Sequence, residues 1–316
     1  MNKGQKSRIY MILGKNKILL AFLALVVVIS FLTPNFLSWQ NIINVIRQSS
    51  IVGIIAIGST FVIIGGGFDI SVGSLMALSA AMAVGLQSYV HWSLAVVAVI
   101  GVGALFGVIN GVLTAKIHIP AIIATLGTMT IIRGLVYMYT GGYPLYVDNQ
   151  EFAFIGNGRI GAIPFPIILL FVLVAIGQFF LVKTRFGRYT CAIGGNKEAS
   201  RLSGIKVDYY IILTFVVGGI TAAVSGIVYA SRLLSVTPLA GQGYELDAIA
   251  SAVIGGTSVS GGEGSVVRTL IGALLLTIIT NAFNLLGVHL YIQYVFKGIV
   301  ILSAVGFDTF TKAKSK

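Results

Sequence analysis

The feature that most constrains this chain is a succession of long apolar segments separated by short polar ones. Segments such as 92–114, 117–140 and 209–230 run for about 20 residues with few charges, the length that crosses the hydrocarbon core of a bilayer. The chain lacks the alternating segments of about ten residues that are typical of membrane barrels. Only 9% of its 316 residues are charged, whereas soluble domains carry about 25%. The sequence therefore predicts an all-α, polytopic transmembrane helical bundle.

Ten apolar segments are expected to span or enter the membrane. They are 18–33, 51–64, 72–89, 92–114, 117–140, 162–182, 209–230, 246–256, 266–287 and 291–306. The basic residues indicate their orientation, because short loops rich in Lys and Arg stay in the cytoplasm. Fourteen of the 21 Lys and Arg lie in three places, which are the N-terminus, the loop 183–206 and the C-terminal tail. We therefore assign the net charge of +12 to membrane orientation rather than to nucleic-acid binding.

The three basic regions lie on one side of the membrane if six spans precede the loop and four follow it. We accordingly predict ten spans with both termini cytoplasmic. Eight spans is the alternative, if 51–64 and 72–89 form one broken hairpin and 246–265 only dips into the membrane. In the ten-span arrangement the loop 141–161 lies outside, and the stretch 34–50 also faces outward as an interfacial segment.

The predicted organisation is a single transmembrane domain, 18–306, with short cytoplasmic ends. Residues 1–17 form the N-terminal segment and 307–316 the tail, and the loop 183–208 interrupts the domain on the cytoplasmic side. Cys191, the only cysteine, lies in that loop, so no internal disulfide can form. The chain carries no P-loop motif, no H-E-x-x-H and no G-x-S-x-G. We therefore expect no cofactor, metal or catalytic site within this chain.

Two glycine-interrupted segments, one in each half of the chain, carry acidic residues. The first is "IIGGGFDISVGS" (63–74) and the second is "YELDAIASAVIGGTSVSGGEGS" (244–265). The second contains an apolar run of nine residues, which spans only about 14 Å as a helix and cannot cross the membrane alone. Such a pair of interrupted segments is typical of the permeation path of a transporter. Candidate path residues are Asp69, Ser71, Asn110, Glu245, Asp247 and Asn281.

Each of these residues also has a purely structural interpretation. Asp69 or Ser71 could cap a helix beginning near Val72, and Asp247 could cap 248–254. Asn110 and Asn281 lie inside apolar segments and could donate hydrogen bonds between helices. Arg133 and Lys297 also interrupt apolar segments, where they could either snorkel to the interface or pair with a partner that the sequence does not identify.

The stretch "GRYTCAIGGNKEASRLSGIK" (187–206) is a polar interruption between two long apolar segments, and it reads as one short helix. Asn196 suits the N-cap, Glu198 the first turn and Arg201 the last turn, and Gly204 suits the end of the helix. Because so short a helix needs packing to be stable, we expect it to dock against a soluble partner. The alternative is an amphipathic connector that lies on the lipid headgroups.

Four motifs resemble the ribose-type sugar permeases of bacterial ABC importers. "GRYTCAIGGNKEASRLSGI" resembles their cytoplasmic coupling loop. "GGFDISVGS", "IPAIIATLGTMTIIRGL" (119–135) and "ELDAIASAVIGGTSVSGGEGS" resemble their other motifs, in the expected order between residues 51 and 287. Phe68, Ser200 and Arg268 depart from the usual residues, and Phe68 and Arg268 leave open which sugar is carried.

The resemblance implies a permease domain in a multi-subunit importer of the bacterial cytoplasmic membrane. Two such subunits, likewise embedded in lipid, would pair and bind two cytoplasmic ATPase domains, which hold ATP and Mg²⁺. An extracellular or periplasmic sugar-binding protein would deliver the substrate. The implied ATPase-coupling residues are Gly194, Gly195, Asn196, Lys197, Glu198, Ala199, Arg201, Leu202 and Gly204. A nucleoside or branched-chain amino-acid permease, an ion-driven secondary carrier and, more remotely, a membrane-embedded enzyme remain alternatives.

Overall fold

A computed structural model describes residues 17–33 and 35–313, and the described chain is helical almost throughout. The helices that precede the loop 183–208 are α1 (Lys17–Leu32), α2 (Trp39–Ile64), α3 (Val72–Gly85), α4 (Trp92–Ala115), α5 (Ala121–Thr140), α6 (Gln150–Asn157) and α7 (Phe165–Lys183). The remaining helices are α8 (Arg185–Gly195), α9 (Lys197–Leu202), α10 (Val207–Leu233), α11 (Tyr244–Ile254), α12 (Val266–Leu285) and α13 (Leu290–Ala313). The predicted N-terminal segment up to residue 16 and the last three residues of the tail lie outside the described residues.

The described part of the chain contains four two-residue strands, which form two separate pairs. They are β1 (Leu145–Tyr146), β2 (Arg159–Ile160), β3 (Ile163–Pro164) and β4 (Ser235–Val236). β1 pairs antiparallel with β4, and β2 pairs antiparallel with β3. The segment that follows α10 is thereby held against the connection 141–161, which is predicted to be external.

Within the described residues, six helices are long and apolar enough to cross a membrane: α2, α4, α5, α7, α10 and α12. Shorter apolar helical stretches lie at Phe22–Leu32, Val72–Ser88 and Leu290–Ser303. α11 has only 11 residues, as the interrupted sequence predicts. The all-α, polytopic membrane fold is therefore confirmed.

α2 corrects one prediction, because 34–50 is not a separate interfacial segment. From Trp39 onward this stretch joins 51–64 in one helix of 26 residues, which Ser38 caps by accepting a hydrogen bond from the Asn41 N–H at 3.3 Å. The polar first half of α2 lowers its hydropathy, but several of its polar groups have partners on other helices. The Arg47 guanidinium, for example, donates to Asn157 Oδ1 at 2.8 Å.

α10 lies at the centre of the bundle and packs against α2, α3 and α4. Small residues make this packing close. A Cβ at Gly107 of α4 would lie 2.6 Å from the Cα of Val216, and one at Gly103 would lie 2.7 Å from the Cβ of Ala223. On another side of α10, Gly226 leaves no room between its backbone and that of α3. Such ridges of small residues let helices approach where lipid supplies no hydrophobic drive, and here they pack helices within one chain.

Candidate functional site

The loop 183–208 is built from two helices at an angle, rather than the single short helix that the sequence predicts. Asn196 ends α8 and begins α9. Its extended backbone (φ −158°, ψ 104°) breaks the helical path, and its Oδ1 accepts a hydrogen bond from the Ala199 N–H at 2.9 Å. The predicted N-cap is thus confirmed, as is the end of the helix, since Gly204 adopts φ +80° in the left-handed region that favours glycine.

α9 presents a mixed polar and apolar surface to its surroundings. Arg201 lies 3.6 Å from Glu198 Oε2 and 3.6 Å from Asp208 Oδ1. Exposed pairs of this kind contribute about 0–1 kcal/mol, so they orient the side chains more than they stabilise the loop. Leu202 is 82% exposed and Ala199 is also exposed, whereas Ser200 is buried against the domain. α9 is therefore anchored on one side and unpartnered on the other.

The end of α8 meets both glycine-interrupted segments at a contact that we call the glycine junction, comprising Gly66, Gly194, Gly195, Gly261 and Gly262. A Cβ at Gly194 would overlap the carbonyl oxygen of Ile64, the last residue of α2, and would lie 2.5 Å from the Gly262 nitrogen. A Cβ at Gly261 would lie 3.2 Å from the Cα of Gly66. The three backbones therefore touch directly, and a Gly262 N–H donates to the Ile64 carbonyl at 2.9 Å.

Cys191, on α8, reports the same proximity. Burial, and after it the negative charge of Glu263, raise the pKa of the Cys191 thiol above its ordinary value. Glu263 belongs to the second interrupted segment, so that segment lies close under α8. The importance of Gly194 and Gly195 is predicted by the family resemblance, but their partners Gly66, Gly261 and Gly262 are not, because nothing in the sequence pairs residues so far apart.

Asp69, Ser71 and Asn110 come together in the interior and form what we call the Asp69 cluster. Asp69 Oδ1 accepts hydrogen bonds from the Ser71 N–H at 2.9 Å and from the Ser71 hydroxyl at 2.6 Å. Asn110 donates to Ser71 Oγ at 2.8 Å and more weakly to Asp69 Oδ2 at 3.4 Å. All three residues are buried, and Asn110 Oδ1 has no hydrogen-bond partner within the described part of the chain.

This geometry corrects the capping interpretation of the first interrupted segment. Ser71 occupies the N-cap position of α3, but its hydroxyl bonds to Asp69 and makes no capping hydrogen bond. Asp69 instead shapes the turn before α3. Thr125, from the motif at 119–135, contacts the same turn by accepting a hydrogen bond from the Ile70 N–H at 3.2 Å. Of the three residues that depart from the family pattern, Phe68 lies half-buried in this turn, Arg268 is exposed in the first turn of α12, and Ser200 is buried in α9.

Within the described chain, Glu245 lies over the first turn of α3 and has no hydrogen bond to the Asp69 cluster. Its carboxylate accepts a hydrogen bond from the Gly243 N–H at 3.1 Å. Its Oε2 occupies the space that a side chain at Gly73 would need. Arg133 supplies opposite charge nearby, while its guanidinium donates to the Pro238 and Ala240 carbonyls at 2.7 and 2.9 Å. Arg133 thus binds the connection that precedes α11, and its charge lies near the Glu245 carboxylate at the start of that helix.

Asp247 does not cap a helix, because it lies within the first turn of α11, which begins at Tyr244. Its Oδ2 is 2.8 Å from Lys297 Nζ on α13. The side chains are 13% and 26% exposed, respectively. Asp247 is therefore the partner of Lys297. The sequence does not predict this pair, because the two residues lie 50 positions apart. Beside it lies a cavity of about 370 Å³ between α2, α11, α12 and α13.

Asn281 has a structural partner of its own. Its amide and that of Asn41 form a reciprocal pair, with N–O distances of 2.9 and 3.0 Å, which joins α12 to α2. The interpretation as an inter-helix hydrogen bond is confirmed for Asn281. No hydrogen bond or ion pair between described residues joins it to Asp69, Glu245 or Asp247. In residues 17–33 and 35–313, no three His, Cys, Asp or Glu side chains gather where they could hold a metal ion.

Comparison with known proteins shows to which family the chain belongs. A model of the family described as "branched-chain amino acid transport system / permease component" matches residues 41–305. The chain is 44% identical over 300 residues to the ribose import permease protein RbsC of Haemophilus influenzae, covering 93% of each chain. It is 45% identical over 292 residues to the RbsC of Bacillus subtilis, covering 92% of this chain and 91% of that protein.

A more distant relative is the L-arabinose transport system permease protein AraH of Escherichia coli, 37% identical over 304 residues, or 94% of this chain and 91% of that protein. No solved structure matches the chain. The family model covers most of the chain, and the relatives are similar over almost their whole length. The chain therefore belongs to the family of permease components of the branched-chain amino acid transport system type.

Proposed function

We propose that this permease component forms the translocation path of an ATP-driven importer for a monosaccharide such as ribose. Relatives similar over almost their whole length are ribose and L-arabinose permeases, which supports the substrate class. The observation that carries the mechanism is the glycine junction. At this junction, α8 contacts both interrupted segments directly. α8 leads into α9, the helix that is predicted to meet a cytoplasmic partner.

The proposed assembly holds two copies of this permease, two cytoplasmic ATPase domains that carry ATP and Mg²⁺, and an extracellular or periplasmic sugar-binding protein. The permeases lie in the bacterial cytoplasmic membrane, in contact with lipid. Each has ten spans within residues 18–306, and both termini and the loop 183–208 are cytoplasmic. Six long apolar helices, the shorter apolar stretches and the eleven-residue α11 supply ten such segments, which supports this count.

In this account α9 docks in a groove of the ATPase. Lys197, Glu198 and Arg201 provide charged contacts, and the exposed Ala199 and Leu202 provide apolar area. When two ATPase domains close on ATP, α9 moves with them, and α8 carries the displacement to the glycine junction. The ATPase can shift the permease from one state to the other only because it binds one of them more tightly.

The proposed path runs beside the interrupted segments, where Asp69, Ser71, Asn110, Glu245 and Asp247 lie. Irregular backbone at membrane depth is tolerated when it is buried in protein or lines a polar cavity. Asn281 is assigned to helix packing through Asn41 instead. Replacing Asp69 by Asn keeps the Oδ1 acceptor for Ser71, removes the charge and replaces Oδ2, the weak acceptor for Asn110, by an amide donor. We expect this variant to be made in normal amounts and to transport more slowly, and unchanged uptake would leave Asp69 a purely structural role.

The test of the coupling surface is the double variant Glu198→Ala with Arg201→Ala. Hydrogen bonds to charged groups contribute about 1.5–3 kcal/mol, so affinity for the ATPase should fall roughly tenfold to a hundredfold. The variant should remain in the membrane and lose ATPase co-purification and sugar uptake. The matched control, Glu151→Ala with Arg159→Ala, removes the same charges from the connection 141–161 and should retain both.

Normal ATPase co-purification by the Glu198 and Arg201 double variant would contradict the coupling assignment. The description of the family model also keeps a branched-chain amino acid as a second candidate substrate. Competition decides between them: excess unlabelled ribose, and not leucine, should suppress uptake of labelled ribose, whereas leucine uptake by the complete importer would favour the second candidate.

A further inference from the structure

The cavity beside Asp247 is lined by residues suited to binding a sugar. It measures about 370 Å³, within the range of roughly 300–1,000 Å³ found for small-molecule sites. Seven of its lining residues have polar side chains that are not fully buried: Gln48, Gln242, Tyr244, Asp247, Thr280, Tyr294 and Lys297. We call this cavity the Lys297 chamber. It includes three residues of the second interrupted segment, Tyr244, Leu246 and Asp247, and none of the Asp69 cluster.

The polar groups of the chamber have spare hydrogen-bonding capacity. Neither Gln48 nor Gln242 makes a side-chain hydrogen bond to another residue in the described ranges, so each retains an amide donor and acceptor. The Thr280 hydroxyl donates to the Leu276 carbonyl at 3.0 Å, and its oxygen can still accept. The Lys297 ammonium donates one of its three N–H groups to Asp247 Oδ2 at 2.8 Å, so two donors remain.

The chamber lies toward the predicted outer side of the membrane. Gln48 follows the start of α2 at Trp39 by nine residues, about 14 Å along the helix. Thr280 is in the last two turns of α12, and Lys297 is two turns into α13. Gln242 comes shortly after β4, which pairs with β1 in the predicted external connection. A substrate that arrives from outside would meet this chamber before it reached the glycine junction.

The charge of the chamber selects the kind of ligand. Asp247 and Lys297 neutralise each other, so an anion or a cation would have to displace one of them and leave a partly buried charge unpaired. A zwitterionic amino acid could pair with both charges only by separating Asp247 from Lys297, which are in contact at 2.8 Å. A neutral polyol can instead bond to the outer donors of the ammonium, the second carboxylate oxygen and the two glutamine amides, and the pair remains closed.

We propose that the Lys297 chamber is an entry site for a neutral polyhydroxylated molecule of monosaccharide size, held by Gln48, Gln242 and the Asp247–Lys297 pair. This inference rests on the proposed sugar import and deepens it by naming a binding site and the charge of its ligand. Lys297, Gln48 and Gln242 are then specificity-determining residues that the family motifs do not contain.

Protection of an introduced cysteine tests the chamber without any partner protein. Leu290→Cys, at a lining position that holds no part of the ligand in the proposal, is placed in a Cys191→Ser background of the full-length chain in lipid nanodiscs. The rate of its reaction with a neutral maleimide is then measured. D-ribose at about ten times its dissociation constant should slow the reaction about tenfold by occupancy. The control, Ser93→Cys at an exposed position outside the chamber, should react at the same rate with or without ribose.

Adding Asp247→Asn and Lys297→Met together removes both charges without leaving either one unpaired. We expect the ribose concentration needed for protection to rise roughly tenfold to a hundredfold in this variant. L-leucine and D-ribonate should protect poorly. Absence of ribose protection, equal protection in the charge-free variant, or protection by leucine alone would each overturn the proposal.

These results separate the two proposals. The labelling needs no ATPase, so it can succeed or fail independently of the pull-down and the uptake assay. Normal ATP-driven uptake without protection rejects the chamber and leaves the proposed function standing. Protection without ATPase association rejects the coupling assignment and leaves the chamber standing.

Discussion

Gly194→Ala is the sharpest perturbation of the glycine junction. The added Cβ would overlap the Ile64 carbonyl oxygen and lie 2.5 Å from the Gly262 nitrogen. Carbon and nitrogen settle at about 3.5 Å when they are not bonded, so the three backbones must separate by about 1 Å. Their separation lengthens the Gly262–Ile64 hydrogen bond of 2.9 Å.

The expected cost follows from these two changes. Overpacking of a tight contact costs about 1–3 kcal/mol and a lost hydrogen bond about 1 kcal/mol, so the junction should lose about 2–4 kcal/mol. α9 and its outer surface are unchanged. The variant should therefore still bind the ATPase, and in the reconstituted importer it should hydrolyse ATP with little transport of ribose.

The adjacent residue provides a matched control. A Cβ at Gly195 would meet no atom within 4 Å, so Gly195→Ala adds the same methyl group one position along at no steric cost. It should transport like the unmodified protein. If Gly194→Ala transports normally, or if Gly195→Ala is equally damaging, the junction does not transmit force as argued here.

Three further predictions concern other contacts. Lys297→Met alone should lower the melting temperature more than Lys297→Met combined with Asp247→Asn, because the single change leaves a partly buried carboxylate unpaired; equal melting temperatures would contradict the ion pair. Asn41→Leu and Asn281→Leu should show an interaction energy of about 0.5–1.5 kcal/mol in a double-mutant cycle of unfolding, and additive effects would deny the amide pair. Because burial raises the pKa of Cys191, its alkylation by iodoacetamide at neutral pH should be slower than that of free cysteine and should still increase with pH where free cysteine levels off; a reaction as fast as that of free cysteine would contradict this environment.

Much of the fold could be predicted from local patterns. Apolar length identifies the long helices, and glycine interruptions identify the short α11. Capping chemistry also places the turn at Asn196, because the residues that act there are neighbours in sequence. The start of α2 at Trp39 was missed, since its polar residues read as interfacial when their partners Asn281 and Asn157 are unknown.

For the candidate site, the sequence predicts the residues that belong to its motifs and not the contacts between them. The sequence identifies Asp69, Asp247 and the loop 183–208 as unusual, but not what each one contacts. The pairing of Asp247 with Lys297 and the meeting of Gly194 with Gly262 join distant parts of the chain, and such contacts depend on how the helices pack. The capping interpretations of Asp69 and Asp247 were wrong for two different reasons. Asp69 bonds to Ser71 and Asn110 and shapes the turn before α3, whereas α11 begins at Tyr244, three residues before Asp247.

Ribose accumulation in proteoliposomes tests the central claim most directly. The vesicles hold this chain with its ATPase, and the sugar-binding protein and ATP are supplied on their respective sides. The account predicts accumulation that requires ATP and all the protein components, and that Glu198→Ala with Arg201→Ala abolishes. Ribose accumulation driven by a proton or sodium gradient, with this chain alone in the membrane and no ATP present, would contradict it.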